Sequence, residues 1–131
     1  MKAKKIVFDA SAIIALLAKE RGWESIRAYL PFAVMSSVNV AETHQHLIDR
    51  QGLSKRESAN LLAAANVSIF DFDHEQALIS AELIVVTKEY GLSIADRACI
   101  ALGLVTKLPI LTCDKIWQRI TIPNIEIILA R

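Results

Sequence analysis

The chain has 131 residues, 53% of them hydrophobic, with a mean hydropathy of +0.37 and a net charge of +1. That length suits a single domain over residues 1–131 that buries about two-thirds of its unfolded surface. Near-neutral charge excludes a general nucleic-acid coat, so any polyanion site must be local; the longest apolar run, 10–18, falls short of the roughly 20 residues that span a bilayer.

Apolar or β-branched runs at 5–8, 32–36, 67–70, 109–112 and 125–129 read as strands. Helical patterns at 12–18, 24–30, 40–50, 55–66, 74–90 and 94–106 lie between them. The first segment, KKIVFDASAIIALLAKE, passes from strand to helix across Asp9, and Lys2, Lys4 and Lys5 form a solvated flank before it. Lysines followed by an apolar stretch have the layout of a secretory signal. Asp9 interrupts that stretch, Lys19 and Glu20 end it, and no A-x-A site follows, so a cytoplasmic chain with reduced Cys99 and Cys113 is expected. AVMSSVNVAE carries the second strand into a helix at Glu42. Ser54-x-x-Glu57 opens the next helix with a capping box, and Gly91 can close the one after it. GLSIADRA opens the last long helix at Asp96, and PILTCD ends the fourth strand near Asp114. Such alternation predicts an α/β fold with an open, mostly parallel five-stranded sheet and helices on both faces. A sheet buried on both faces also accounts for the apolar excess.

In that architecture the carboxyl ends of the strands share one edge, where ligands bind. Asp9, Glu42, Asp96 and Asp114 all stand close to helix starts and can meet there. Carboxylates gathered without basic partners repel by about 3–4 kcal/mol per pair at 4–5 Å and an effective dielectric of 20. Either their pKa values rise or a divalent cation holds them. Each acid also has a local explanation. Asn39-x-x-Glu42 and Ser93-x-x-Asp96 fit capping boxes, and Asp114 can cap a short helix over 115–119. Asp9 reads as the least cap-like, because an acid inside IVFDASAII is costly to bury unpaired.

Ser11 and Thr112 each stand two residues from an acid, on the same side of an extended segment, and can orient a carboxylate. His44 lies on the apolar stripe of its helix and reads as a core histidine. His46 lies one turn from Glu42 and can support it, while three histidines without Cys–His spacing argue against zinc. Cys99 and Cys113 read as buried apolar thiols and Trp117 as core. Arg97 reads as a phosphate contact or a surface ion pair.

The order DASAIIALL, SSVNVAE and GLSIADRACIALGLVTKLPILTCDKIW resembles the PIN domain over essentially the whole chain, and within it the ribonuclease toxins of the VapC type. The resemblance implies a five-stranded parallel sheet, Mg²⁺- or Mn²⁺-dependent endonuclease activity on RNA, and a small antitoxin partner. It makes Asp9, Glu42, Asp96 and Asp114 the acidic cluster. Asp9 and Asp96 would ligate the metal directly, Asp114 directly or through water, with Ser11 and Thr112 behind them. Glu42 would act as general base or as ligand of a weaker second ion. Where many relatives carry a further acid, Lys115-Ile-Trp-Gln118 follows Asp114, which leaves a second metal position short of a ligand. The helices over 24–30 and 55–66 are the expected antitoxin groove and homodimer face. Two other readings compete: a flavodoxin-like phosphoacceptor module using Asp9 with Asp71 or Asp73, and a PIN-like binding module without catalysis.

Overall fold

The computed structural model describes residues 4–131, so Lys2 lies outside the described residues, while Lys4 and Lys5 are exposed. Five strands form one parallel sheet in the order β3-β2-β1-β4-β5. They are β1 (Ile6–Phe8), β2 (Ala33–Ser36), β3 (Ser68–Phe70), β4 (Ile110–Thr112) and β5 (Ile127–Leu129). Between them run α1 (Ala10–Leu17), α2 (Trp23–Tyr29), α3 (Ser37–Asp49), α4 (Lys55–Ala65), α5 (His74–Glu82), α6 (Ile84–Thr87) and α7 (Ile94–Thr106). The expected α/β architecture is what forms.

Strand alternation sorts the core into two layers. Ile6, Phe8, Ala33, Met35 and Leu111 pack with Ala12, Ile13 and Leu16 of α1 and Ile26 of α2. On the other face Val7, Val34 and Ile110 pack with Cys99, Ile100 and Leu102 of α7 and with Trp117. Gly103 lets α7 lie close to the sheet, since a Cβ there would stand 2.8 Å from Ile110 Cδ1.

Three expectations need correction. The helix expected over 74–90 is broken into α5, α6 and a 3₁₀ turn at Lys88–Tyr90, closed by Gly91 at φ 68°. The interruption falls at Leu83, whose carbonyl also accepts from Thr87 Oγ1 at 2.8 Å. Helix α3 begins at Ser37, earlier than expected, because Ser36 caps it by accepting from Val38 N at 3.2 Å. The sheet is not buried throughout either. All three residues of edge strand β3 are exposed, Ile69 to 56%.

The chain runs outward from β1 through β2 to β3, then returns to place β4 on the other side of β1. That reversal is a topological switch point, and it opens a crevice at the carboxyl ends of β1 and β4. The order differs from the flavodoxin-like 2-1-3-4-5, and Lys107 ends α7 at the amino end of β4. Both observations overturn the phosphoacceptor reading.

Candidate active site

Asp9 follows β1 at the switch point and is only 4% exposed. It is the N-cap of α1, accepting from Ala12 N at 2.9 Å, so the acid judged least cap-like does cap. Two hydroxyls complete its shell. Ser11 Oγ lies 2.7 and 2.9 Å from the two carboxylate oxygens, and Thr112 Oγ1 donates to Oδ2 at 2.6 Å. Each hydroxyl is itself oriented by backbone: Cys113 N donates to Ser11 Oγ at 2.9 Å, and Asp114 N to Thr112 Oγ1 at 3.0 Å. Thr112 therefore serves the acid across the crevice, and touches Asp114 through its amide. Burial pushes the Asp9 carboxyl from 3.8 up to about 6, even against the hydrogen bonds from Thr112, Ser11 and Ala12.

Glu42 sits in the second turn of α3, half-buried. Burial raises its pKa; the Asn39 amide and the His46 charge oppose this, and Asp96 adds to it. Asp96 forms the expected capping box with Ser93, its Oδ2 accepting from Ser93 N at 3.0 Å and its own N–H donating to Ser93 Oγ at 3.1 Å. Burial raises Asp96, the Ser93 bonds oppose, Asp114 raises it further and Arg97 lowers it. Asp114 is exposed and caps the 3₁₀ turn Lys115–Arg119 through Ile116 N at 3.1 Å.

Three of the four acids are thus caps, and capping does not exclude a shared site. Asp96 repels Asp9, Glu42 and Asp114 alike, which makes the four one electrostatic neighbourhood centred on the start of α7. They do not form a closed cage: among the described residues, no three His, Cys, Asp or Glu side chains converge closely enough to hold an ion. The ion pairs among the described residues, Arg50–Asp49 and Arg131–Glu20, leave all four without a salt-bridge partner. Carboxylate oxygens without salt bridges are the donor chemistry that Mg²⁺ takes, and it keeps several waters while needing only one or two carboxylates.

The sequence matches the PIN domain family over residues 6–123. The chain belongs to the PIN domain family. No curated protein matches it significantly in sequence. Solved structures share its fold at low identity. A chain of a toxin–antitoxin complex from Klebsiella pneumoniae has a TM-score of 0.72 at 19% identity, over 97% of this chain and 98% of that one. VapBC2 from Rickettsia felis, bound to a promoter DNA fragment, gives 0.73 at 15%, over 95% and 97%. VapC20 from Mycobacterium tuberculosis, a sarcin–ricin loop cleaving toxin, gives 0.73 at 18%, over 88% and 94%.

One residue of this PIN domain that sequence reasoning placed wrongly is Asn39. It does not cap α3. Its side chain is 1% exposed, and Nδ2 donates to Glu42 Oε1 at 3.2 Å and to the Ala95 carbonyl at 3.0 Å. One amide therefore ties Glu42 to the peptide just before Asp96. The opposite flip would set oxygen against oxygen twice, so the donors define the orientation. The Asn39-x-x-Glu42 spacing was the available signal, because it also fits a side-chain pair one turn apart.

The other residues fall as follows. His44 is half-buried, with Nδ1 2.8 Å from Ser58 Oγ. Arg97 makes no ion pair among the described residues, and its Nη1 donates to the Ser80 carbonyl at 3.0 Å. Trp117 is core, and Cys99 and Cys113 are free thiols whose pKa values burial raises. No helix among the described residues is long and apolar enough to cross a membrane.

Proposed function

We propose that this PIN domain is a divalent-metal-dependent endoribonuclease, the cytoplasmic toxin of a toxin–antitoxin pair. The carrying observation is Asp9, a carboxylate buried at the sheet's switch point, coupled to Asp96 and lacking a cationic partner. Its elevated pKa marks a charge that the fold accommodates poorly without a counterion. Membership of the PIN family and the fold shared with toxin–antitoxin chains support the same reading.

Asp9 and Asp96 would hold Mg²⁺ or Mn²⁺, with Asp114 directly or through water. Such an ion lowers the pKa of a water and offsets charge developing on the phosphate. Ser11 and Thr112 keep the Asp9 carboxylate in one orientation. Glu42, held by Asn39, would act as general base or as ligand of a second ion. An antitoxin would cover the cleft, inserting basic residues whose guanidinium forks pair with carboxylates. Its seat would be the groove of about 350 Å³ where Leu17, Trp23 and Leu30 face Leu61 and Ala65, between α2 and α4. The exposed small-residue face of α4 is the proposed homodimer contact.

The test uses purified, antitoxin-free protein and single-stranded RNA. Cleavage should need Mg²⁺ or Mn²⁺, stop in EDTA and vanish in Asp9→Asn. Equal cleavage in chelator would overturn the metal reading, and cleavage by Asp9→Asn would overturn the site.

A further inference from the structure

Beside the acid cluster, between the exposed face of α3 and the first turn of α7, lies a pocket of about 510 Å³. Glu42 forms part of its wall, so whatever fills it lies against that one acid of the four. The rest of the lining is mixed. Val38 and Ile94 give an apolar surface, Gln45 and His46 give polar edges, and Arg50 is ion-paired with Asp49, which also lines the pocket. Ile94 is 54% exposed although it stands in the first turn of a helix whose following residues are core. Packing does not account for it. Gln45 is also exposed, on the turn after Glu42, where its amide carries both donors and an acceptor.

This combination suits an unpaired nucleobase, which has flat apolar faces and a polar edge. Bases splayed from single-stranded RNA stack on aromatic rings, histidine included, or on guanidinium planes, and are read through edge hydrogen bonds. A base held in A-form duplex cannot enter such a pocket. The volume lies within the roughly 300–1,000 Å³ of small-ligand sites. Resting on the ribonuclease reading above, we infer that this pocket receives the unpaired nucleotide next to the scissile phosphate. Ile94 and His46 flank its base, and Gln45 reads its edge. The base preference of cleavage is then set here, outside the acid cluster.

Two measurements test this. In the first, Asp9→Asn protein is titrated with single-stranded hexanucleotides and with a matched RNA duplex, following backbone amide shifts. The single strands should move the Gln45, His46 and Ile94 amides, and the duplex should not. Shifts confined to the groove between α2 and α4, or no shifts, overturn the pocket. In the second, cleavage sites on a random-sequence RNA are mapped for wild type, Gln45→Ala and Ile94→Ser. The variants should lose or change base preference at one position flanking the cut and raise KM about tenfold, the loss of one base contact, more than they lower kcat. Cleavage with unchanged preference and KM overturns the inference while leaving the ribonuclease reading intact. If wild type cleaves no RNA, that reading falls, and the amide shifts alone decide whether the pocket binds single-stranded RNA.

Discussion

Replacing Asp9 with Asn separates the electrostatic role of this carboxylate from its capping role. Asp9 ionises near 3.8 in an unfolded chain and at about 6 in the fold, so well below pH 3.8 it is neutral in both states and costs nothing. Between these values the folded state binds the extra proton, and stability falls as pH rises. Above about 6 the cost is complete, and at about 1.4 kcal/mol per pH unit it reaches about 3 kcal/mol. Opposing it is attraction of the charge to the α1 N-terminus, about 0.3–1 kcal/mol. The capping bond itself survives, because Asn caps about as well as Asp. Burial wins, so metal-free Asp9→Asn should be more stable than wild type at pH 7.5, by about 2–3 kcal/mol at most, and about equal to it near pH 3. For a chain of this size that is a rise of about 5–10 °C in Tm. Thermal melts of both proteins in EDTA from pH 3 to 7.5 measure it. Parallel melting curves across that range, or a variant that melts lower at neutral pH, would refute the argument.

Mg²⁺ added at pH 7.5 should raise the Tm of wild type, by about 2.7 kcal/mol of stability at a hundredfold excess over Kd, and EDTA should reverse it. The same titration should leave Asp9→Asn nearly unmoved. Asn39→Ala frees Glu42 and should lower kcat about tenfold, in line with a hydrogen bond to a charged group of about 1.5–3 kcal/mol. In a Glu42→Gln background most of that loss should vanish, whereas a purely structural Asn39 would give multiplicative losses in steady-state kinetics. Gly103→Ala drives a methyl to 2.8–2.9 Å from Ile110 and Ile125. Overpacking of about 1–3 kcal/mol should outweigh the gain of about 1 kcal/mol from helix propensity, giving a lower denaturation midpoint.

What was legible in the sequence rests on local physics. The β-branched runs, the helical periods, the Ser54 and Ser93 capping boxes and the chain order of the four acids all depend on neighbours within a turn or a pleat. So does Ser11 beside Asp9. Even locally, competition misled: Ser36 outbid Asn39 for the α3 cap, and a helix that hydrophobic period alone would continue is interrupted at Leu83. The rest was decided by pairing between distant segments. Only the sheet order brings Thr112 onto Asp9, 103 positions away, and only the packing of α3 against α7 lets Asn39 reach the Ala95 carbonyl. Exposure of β3 follows from its place at the sheet's edge, which its apolar sequence does not announce. The elevated pKa of Asp9 belongs to the same class, because desolvation is a property of everything packed around a carboxylate and not of the residues beside it in the chain.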